Sequence, residues 1–424
     1  MRFNSLPDWL SWQESLNPKT IDLGLDRVQA VLESLSLPNH FACPVITVAG
    51  TNGKGSSVAM LESILRAGGY SVGCYTSPHL FHYNERIRVN GQDIDDQSLC
   101  AAFERIDQAR GDKELTYFEF GTLAALLIFA GMKLDVVVLE VGLGGRLDAV
   151  NVIHPDVALV TTVDIDHTDW LGSDIETIAI EKAGIFRPHR PAIYGGLNAP
   201  KSLVDIAIDQ EAELLLAGRD YIYRGISDAS WQFHGPHRHY AELPVPALKG
   251  QFQLQNAAAV IMALHALADQ LPVDATAIGA GLKQAHIMGR FQRLQQAPDI
   301  VVDVAHNAQS ARALAEILAD DPIRGKTLVV IGMLADKAID QVITALAPGV
   351  DHWFTAGLEV PRGLSAELMA KAVNDYAPGA KLAAHDSVIT ACAQAMQCAS
   401  EHDRIIILGS FYTVSQATDY LQAL

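Results

Sequence analysis

The chain has 424 residues, 49% of them apolar, and it carries a formal net charge of −18. The length predicts two or three domains with full hydrophobic cores. The charge argues against a general nucleic-acid or membrane-surface binder, because both need basic patches. We expect no membrane span and no signal peptide, since the longest apolar run is too short and the N-terminus lacks an apolar core. The five cysteines form no Cys-x-x-Cys pair, which predicts reduced thiols in a cytoplasmic protein.

Residues 1–44 have the pattern of short helices, and the first strong signal follows them as a strand, a glycine-rich loop and a helix. Val45–Ala49 is a short β-branched run that predicts a buried strand. The helix begins near Lys54 and ends at Gly68-Gly69. This arrangement is typical of a phosphate-binding loop. Backbone N–H groups, the helix N-terminus and a lysine hold the anion there, and a hydroxyl reaches Mg²⁺.

This loop departs from the common phosphate-binding pattern at two positions. Val48 stands where that pattern has its first glycine, and Gly55 separates Lys54 from Ser56. An ordinary glycine-rich turn between a strand and a helix is therefore the alternative to a phosphate site.

A second predicted strand, residues 71–75, leads into the turn Thr76-Ser77-Pro78-His79-Leu80. The turn places a hydroxyl and an imidazole just beyond a strand end, where open α/β sheets bind ligands. A proline turn with an incidental histidine is the alternative. The next charged segment, Glu85-Arg86-Ile87-Arg88, supplies either anion-binding charge or a solvated edge strand.

Residues 98–109 and 118–132 predict helices, the second of them buried because it is almost entirely apolar. Residues 134–140 predict an apolar strand that ends in the carboxylate of Glu140. In phosphate-loop enzymes, an acid at the end of such a strand helps to hold Mg²⁺. The second glycine-rich loop, residues 141–148, does not fit a dinucleotide-binding fingerprint, because no periodic helix opens at that point.

A further buried strand, residues 156–163, is followed by Asp164-Ile165-Asp166-His167-Thr168-Asp169. This stretch is rich in metal-type ligands, so a metal site and a purely structural histidine are both open. Residues 178–183 predict a helix, and residues 221–245 alternate in the way of a small antiparallel patch. The irregular spacing of His234, His237 and His239 favours a solvated hairpin over a metal site.

Helices are predicted for residues 251–270 and 276–284, and we place a domain boundary at Met288-Gly289-Arg290-Phe291. Beyond it strands and helices alternate again, which predicts a Rossmann-like doubly wound domain. The predicted strands there are residues 300–304, 328–331, 352–355, 381–384 and 405–408. The predicted helices there are residues 308–318, 339–346, 365–376, 387–399 and 414–421.

A series of motifs in this order resembles one family over nearly the whole chain. The loop Gly50-Thr51-Asn52-Gly53-Lys54-Gly55-Ser56, with its displaced serine, resembles that of the Mur ligase superfamily. The other motifs resemble its folate branch, the folylpolyglutamate synthase family, many bacterial members of which are also dihydrofolate synthases. They are Thr76-Ser77-Pro78-His79-Leu80, Thr116-Tyr117-Phe118-Glu119, Glu140-Val141-Gly142-Leu143-Gly144-Gly145, Asp166-His167, Glu181-Lys182-Ala183-Gly184 and Asp303-Val304-Ala305-His306-Asn307.

The resemblance implies an α/β fold in two domains. Residues 1–287 would form an ATP-binding phosphate-loop domain with a mostly parallel sheet and a small antiparallel patch. Residues 288–424 would form a Rossmann-like glutamate ligase domain. The implied reaction is ATP-dependent addition of L-glutamate to dihydropteroate and to reduced folates. A substrate carboxylate takes the γ-phosphate of ATP, and the amine of glutamate then displaces phosphate from the acyl phosphate.

The resemblance also implies roles for individual residues. Catalysis would involve Lys54, Lys182 and His306, with residues 410–412 near the glutamate or the acyl phosphate. ATP would be bound by Thr51, Asn52, Gly53, Lys54, Gly55, Ser56, Asn256, Arg290 and Asp303. The ligands of Mg²⁺ would be Ser77, Glu140 and His167. The pterin would be bound by Leu23, Gly24, Leu25, Asp26, Thr116, Tyr117, Phe118, Glu119, Leu147, Asp148 and Ala149.

The implied cofactors are two Mg²⁺ ions, a monovalent cation and a carbamate on Lys182, a residue that in isolation has the pattern of a surface helix end. The implied partners are small molecules only, and we expect a monomer. Ala308 departs from the family, which usually has proline there, and this puts the start of the following helix in doubt. The alternatives are a monofunctional folylpolyglutamate synthase, a non-catalytic nucleotide switch and a small-molecule kinase. The acid and histidine clusters in both domains count against a switch.

Overall fold

The computed structural model describes residues 2–17 and 22–424. The chain divides into two compact units, Met1–Ala247 with Gln253–His286 and Leu248–Phe252 with Ile287–Leu424. The predicted N-terminal helices are α1 (Leu6–Leu16) and α2 (Asp26–Ser34). The part of that prediction on residues 1 and 18–21 lies outside the described residues. Across the described ranges, no helix has both the length and the hydropathy needed to cross a bilayer.

The first unit contains a mostly parallel sheet, which agrees with the strand pattern of the sequence. Its eight strands are β1 (Val45–Ala49), β2 (Val72–Tyr75), β3 (Ile87–Val89), β4 (Gln92–Asp93), β5 (Val136–Glu140), β6 (Val157–Val160), β7 (Pro191–Tyr194) and β8 (Glu213–Leu216). Their order is β4-β3-β2-β5-β1-β6-β7-β8. The pairs β2–β3 and β3–β4 are antiparallel, and the other neighbouring pairs are parallel. β1, β2, β5 and β6 are buried along their whole length, because both faces of the sheet are covered.

Helices surround this sheet and continue to residue 284. They are α3 (Lys54–Ala67), α4 (Asp96–Arg110), α5 (Tyr117–Ala130), α6 (Thr168–Leu171), α7 (Ile175–Ala183), α8 (Lys201–Asp209), α9 (Phe252–Ala266) and α10 (Ala275–Gln284). The apolar helix α5 is buried over most of its length, as its composition predicts. It begins at a reciprocal cap, in which Thr116 accepts from the N–H of Glu119 and Glu119 accepts from the N–H of Thr116.

A small antiparallel sheet of three strands follows, as the alternating pattern predicts. It contains β9 (Ile222–Gly225), β10 (Ser230–His234) and β11 (His239–Pro244). His234 and His239 face each other across the hairpin, with ring centroids 3.8 Å apart. They belong to no group of three metal-type side chains within the described residues.

The second unit contains a six-stranded, mostly parallel sheet. Its strands are β12 (Gln292–Gln296), β13 (Asp299–Asp303), β14 (Thr327–Ile331), β15 (His352–Ala356), β16 (Lys381–His385) and β17 (Arg404–Leu408), in the order β12-β13-β17-β14-β15-β16. Its helices are α11 (Ala308–Asp320), α12 (Ile339–Leu346), α13 (Ala366–Tyr376), α14 (Val388–Cys398) and α15 (Phe411–Gln422). The sequence pattern did not predict the edge strand β12, which is antiparallel to β13, because its residues are almost all polar.

Two helix starts in the second unit are set by capping side chains. Asn307 accepts from the N–H of Ser310, so α11 begins at Ala308 although proline is absent there. Ser410 accepts from the N–H of Thr413, and α15 therefore begins at Phe411, three residues before the predicted start. None of the five cysteines is in a disulfide, in agreement with the predicted thiols.

The close approach of α3 and α10 gives a stability prediction. A Cβ at Gly281 would lie 2.4 Å from the Cα of Ile64, so the two helix backbones must separate to admit it. We expect Gly281→Ala to lower the free energy of unfolding by about 1–3 kcal/mol, the usual cost of overpacking. Urea denaturation with a constant m-value measures this change.

Gly279→Ala in the same helix is the matched control. Its Cβ would have Pro244 Cδ as nearest neighbour at 3.4 Å, which is ordinary contact. We expect a neutral effect or a gain of up to about 1 kcal/mol from helix propensity. Equal urea midpoints for the two variants would contradict the close approach of the helices.

Candidate functional site

The carboxyl ends of four neighbouring parallel strands bring the predicted site segments to one edge of the first sheet. The strands are adjacent in the order β2-β5-β1-β6. Ser77 follows β2, Glu140 ends β5, residues 50–53 follow β1, and His167 lies in the segment after β6. Ligand sites of open α/β sheets occupy this position.

The glycine-rich loop after β1 is shaped by its contact with α9. Gly53 has φ +89, a left-handed conformation that favours glycine. A Cβ at Gly53 would lie 2.6 Å from Oδ1 of Asn256. Asn256 is buried and donates from Nδ2 to Oε1 of Gln253 at 3.0 Å, and Gln253 in turn donates to Oγ of Ser56 at 3.3 Å. The predicted ATP contact Asn256 is therefore packed against the loop.

The segment after β6 ties the same loop down from the other side. The N–H of Thr51 donates to the carbonyl of Thr162 at 2.8 Å, and the N–H of Asn52 donates to its hydroxyl at 3.2 Å. Thr161 Oγ1 donates to the carbonyl of Asn52 at 2.6 Å. The Thr51 hydroxyl also bonds both the carbonyl and the N–H of Asp164, each at 3.0 Å. The loop is thus fixed before any ligand arrives.

Lys54 is the first residue of α3, and its ammonium folds over the loop. Its Nζ donates to the carbonyls of Gly50 at 2.9 Å and Thr51 at 3.2 Å. The first N–H groups of an α-helix have no intrahelical acceptor, so those of α3 are directed toward the space that the loop encloses. Together with the helix dipole and the lysine charge, this arrangement can bind an anion such as a phosphate group.

The second glycine-rich loop packs directly on the end of α7. A Cβ at Gly145 would lie 2.6 Å from the carbonyl of Glu181, and a Cβ at Gly184 would lie 2.3 Å from Cβ of Arg146. The N–H of Arg146 donates to that same carbonyl at 2.7 Å, and its guanidinium pairs with the Glu181 carboxylate. The two glycines therefore allow a backbone approach that covers the neighbouring Lys182.

Lys182 is 3% exposed, so its alternative interpretation as a surface helix residue is wrong. Its pKa is lowered to about 7 by burial first and by the positive charge of Lys54 second. Asp166 and Asp148 act in the opposite direction. A substantial fraction of this amine is therefore neutral near pH 7.

Asp148 is the other buried ionisable group of this neighbourhood. Its carboxylate accepts from the N–H groups of Leu143 at 2.8 Å and Val150 at 2.9 Å. Burial raises the pKa of Asp148 to about 6, although these bonds and the charge of Lys54 favour the ionised form. Asp148 thus shapes the second loop through its backbone.

The structure brings together the three segments that the resemblance implies for pterin binding. The N–H of Gly24 donates to the carbonyl of Leu147 at 3.2 Å. The guanidinium of Arg27, next to Asp26, pairs with the buried carboxylate of Glu119 at 3.0 Å. These two contacts connect the segment around residue 24 with the second and third segments.

The aromatic side chain of Phe118, in the second segment, reaches the glycine-rich loop that leads into the third. Phe118 lies against Gly142, where a Cβ would be 2.6 Å from its ring. Its ring centroid is 6.0 Å from that of the buried Tyr75 at the end of β2. An aromatic and partly apolar wall of this kind suits a flat heterocycle.

Glu140 supplies the buried carboxylate of the predicted metal site, with 4% exposure. A hydroxyl at Ser77 and an imidazole at His167 complete a donor set suited to a divalent cation that also keeps water or phosphate ligands. Within the described residues, no three His, Cys, Asp or Glu side chains form a group that could hold a metal ion. The acid-rich residues 164–169 therefore do not form a metal site by themselves.

The second unit places its predicted residues at the end of β13. The buried carboxylate of Asp303 accepts from the N–H groups of Phe291 and Ala305, both at 2.8 Å. Burial raises the pKa of Asp303, and the positive charge of Arg290 opposes the shift. The Nδ1 of His306 bonds the carbonyl of Val304 at 2.8 Å. Its ring centroid lies 6.4 Å from that of Phe411.

Some residues at the loop were not predicted. Thr161 and Gln253 both bond the glycine-rich loop directly. Thr161 was assigned to the interior of a strand that in the structure ends at Val160. Gln253 lies three residues before Asn256 in α9, and this spacing on one helix face was the available signal.

Two protein-family models match the chain. The Mur ligase middle domain matches residues 48–264, and the glutamate ligase domain of Mur ligases matches residues 289–411. The chain is 44% identical over 420 residues to the dihydrofolate synthase/folylpolyglutamate synthase of Escherichia coli K12, which covers 99% of this chain and 96% of that protein. The Haemophilus influenzae protein of the same name is 38% identical, with 97% and 96% covered.

Solved structures agree with this relationship. Escherichia coli FolC in complex with DHPP and ADP has a TM-score of 0.93 and 45% identity, covering 99% of this chain and 98% of that one. The bifunctional folylpolyglutamate synthase/dihydrofolate synthase from Yersinia pestis, complexed with AMPPNP and Mn, has a TM-score of 0.90 and 43% identity with the same coverage. A further structure of such a bifunctional enzyme holds Mn, AMPPNP and L-glutamate, with a TM-score of 0.90.

The geometry of Gly53 gives a prediction for nucleotide affinity. Gly53→Ala combines a strained left-handed backbone with a clash against Asn256. We expect the affinity for ADP to fall about tenfold or more, since such strain costs on the order of 1–3 kcal/mol. Isothermal titration calorimetry measures the affinity.

Gly69→Ala is the control, because Gly69 has φ +87 and no atom lies within 4 Å of its Cβ position. That variant carries the same kind of backbone strain at the other end of α3. Its ADP affinity should match the wild type. A similar loss of affinity in both variants would mean that the loop itself is not where the nucleotide binds.

Proposed function

The chain belongs to the Mur ligase family, in the branch of bifunctional dihydrofolate synthase/folylpolyglutamate synthases, and on this premise we propose how its residues carry out the reaction. The protein is an ATP-dependent ligase that adds L-glutamate to dihydropteroate and to folates, with a divalent metal ion. The observation that carries this assignment is the match at 44% identity over 99% of the chain.

We propose that residues Thr51 to Ser56 bind the β- and γ-phosphates of ATP. The carboxylate of the acceptor attacks the γ-phosphorus, which forms an acyl phosphate and releases ADP. Negative charge on the transferring group is offset by the ammonium of Lys54 and by the N–H groups at the start of α3. Because the loop is fixed in advance by Thr161, Thr162 and Asp164, little reorganisation is needed during transfer.

The amine of L-glutamate then attacks the carbonyl carbon of the acyl phosphate, and inorganic phosphate leaves from the tetrahedral intermediate. We assign His306 and residues 410–412 to this half of the reaction. We propose that Arg290, Asp303 and Asn256 contact ATP. Support comes from the buried carboxylate of Asp303 and from the Nδ1 bond that orients His306.

The divalent metal would be held by Ser77, Glu140 and His167. We propose that two Mg²⁺ ions bind, and that a monovalent cation binds as well. Metal bound there supplies positive charge against the phosphate oxygens. The carboxylate of Glu140, buried at the end of β5, fits this role because carboxylate oxygens are preferred ligands of Mg²⁺.

We propose that the side chain of Lys182 is modified to a carbamate. Its neutral amine captures CO₂, forms an N–C bond and releases one proton, so that a cation becomes an anion. Support comes from its burial, its pKa near 7 and its proximity to the charges of Lys54 and Asp166. The anion would balance Lys54 and orient a metal ligand.

The pterin is assigned to Leu23 to Asp26, Thr116 to Glu119 and Leu147 to Ala149. Both acceptors carry a pterin, so one site serves both activities. The contacts between Gly24 and Leu147 and between Phe118 and Gly142 support a common pocket. We further propose a monomer in the cytoplasm.

A glutamate-incorporation assay tests the function directly. Dihydropteroate and tetrahydrofolate are supplied side by side with ATP, Mg²⁺ and labelled L-glutamate. We expect ADP, phosphate and an amide product in equal amounts with each acceptor, and loss of about 10²-fold or more in Lys54→Ala. Activity with tetrahydrofolate alone would make the protein monofunctional, and phosphorylation without amide formation would make it a kinase.

The metal assignment predicts a shift in the Mg²⁺ titration. Glu140→Gln keeps the shape of the side chain but removes the charge, so the Mg²⁺ concentration for half-maximal rate should rise about tenfold or more. Glu213→Gln removes the same charge from an exposed position at the start of β8 and is the control. Identical titrations for Glu140→Gln and the control would refute the assignment.

The carbamate assignment predicts that Lys182→Ala loses about 10²-fold of turnover and recovers part of it with a short-chain carboxylate. The neutral amine is favoured above pH 7 and lost below it, so carbamate occupancy should fall as the pH is lowered through about 7. ¹³C NMR with labelled bicarbonate should show a carbamate carbon in wild type and in Lys283→Ala, an exposed control, but not in Lys182→Ala. Full activity of Lys182→Ala without bicarbonate would contradict the proposed carbamate.

A further inference from the structure

A buried arginine, Arg86, lies beside the turn that carries the proposed metal residue Ser77, because its carbonyl accepts from the N–H of Thr76 at 2.9 Å. Arg86 is 8% exposed and ends a short 3₁₀ helix, Tyr83–Arg86, immediately before β3. The sequence left its segment open between anion-binding charge and a solvated edge strand. Because Arg86 is buried, the second interpretation does not hold for this residue.

The side chain of Arg86 contacts an imidazole and two phenol rings. Its Nε donates to Nδ1 of His79 at 2.8 Å, and its guanidinium carbon lies 5.3 Å and 5.5 Å from the ring centroids of Tyr83 and Tyr117. Across residues 2–17 and 22–424, no carboxylate pairs with it and no hydrogen bond leaves its two terminal nitrogens. The ring faces stabilise the cation, but they leave the guanidinium fork open.

The other buried arginines show how unusual this is. Arg404, at 2% exposure, pairs with Asp299 at 2.7 Å and with Asp321 at 2.8 Å. Arg110, at 8% exposure, pairs with Asp107 at 2.9 Å. A buried charge without a partner is strongly destabilising, so a fold keeps one where a ligand supplies the opposite charge.

The neighbouring acid does not serve as that partner. Glu85 uses both carboxylate oxygens to accept from the N–H groups of Leu80, Phe81 and His82, each at 2.7 Å. It therefore fixes the loop that follows Ser77 and leaves the adjacent guanidinium unpaired.

His79 adds a hydrogen-bond donor and no second charge. Because its Nδ1 accepts from Arg86, its proton is on Nε2. The pair thus combines a planar fork with a nearby N–H, which matches a carboxylate.

We propose that Arg86 is a specificity-determining residue that binds the non-reacting α-carboxylate of the glutamyl tail of folate acceptors. The inference rests on the proposed function. Arg86 contacts Tyr117 of the proposed pterin segment on one side and His79, two residues after Ser77, on the other. In the proposed site, the carboxyl end of an acceptor extends from the pterin segments toward the metal ligands and the γ-phosphate of ATP. It would therefore pass Arg86.

The chemistry favours the non-reacting carboxylate over the reacting one. The reacting carboxylate must stay nucleophilic toward the γ-phosphorus, and a bidentate guanidinium would withdraw that electron density. Dihydropteroate has only the reacting carboxylate, whereas folates carry the α-carboxylate in addition. Arg86 therefore distinguishes the two acceptors of one enzyme.

Steady-state kinetics of Arg86→Gln with each acceptor tests the proposal. The KM for tetrahydrofolate should rise about 10- to 100-fold, the range for losing hydrogen bonds to a charged group, while the KM for dihydropteroate changes less than about threefold. Arg86→Lys, which keeps the charge without the fork, should recover part of the loss. Arg224→Gln removes an exposed charge and should leave both values unchanged.

A second measurement uses the wild-type enzyme and does not depend on how the variant folds. A tetrahydrofolate analogue with γ-aminobutyrate in place of glutamate lacks only the α-carboxylate. Its KM with wild type should match that of tetrahydrofolate with Arg86→Gln, and the variant should not discriminate between the two. Wild type that does not discriminate, or a variant that loses both acceptors equally, would overturn the proposal. Absence of amide formation by wild type with either acceptor would instead refute the proposed function.

Discussion

Burial of a second lysine, Lys182, near Lys54 of the glycine-rich loop after β1 is the constraint on which this candidate site depends. Helix α7 and the loop of residues 141–148 approach so closely at Gly145 and Gly184 that Lys182 is covered. Burial, and after it the positive charge of Lys54, lower the pKa of Lys182 to about 7. In the proposed mechanism, this arrangement would bind the anions of the reaction, which are phosphate, the substrate carboxylate and the carbamate proposed on Lys182.

The same reasoning applies at Arg86, whose buried guanidinium is not paired with a carboxylate among the described residues. A protein with a net charge of −18 repels its anionic substrates in bulk solution. The proposed site would bind them through a few cations placed where burial strengthens each interaction. Lys54, Lys182 and Arg86 each follow one of the parallel strands or pack against the loops at their ends. The sheet order therefore determines the electrostatics of the site.

The sequence predicts what depends on local pattern. Val45–Ala49 and the strand ending at Glu140 are apolar runs, which predict buried strands. The glycine-rich turn with Lys54 predicts an anion-binding loop. The polar strand Gln292–Gln296 carries no such signal, because its place in the sheet comes from pairing with β13. Likewise, the Glu181-Lys182 pattern fits an exposed helix end equally well. Only packing reveals that Lys182 and Arg86 are buried and that Gln253 reaches the loop.

The central claim is that these cations stabilise phosphoryl transfer to a carboxylate. Dihydropteroate labelled with ¹⁸O in its carboxylate tests this most directly, with mass analysis of the inorganic phosphate released during glutamate addition. Attack of the carboxylate on the γ-phosphorus followed by displacement of phosphate predicts one labelled oxygen in each phosphate. Phosphate without label, alongside normal amide formation, would contradict an acyl phosphate and with it the role assigned to this cluster of charges.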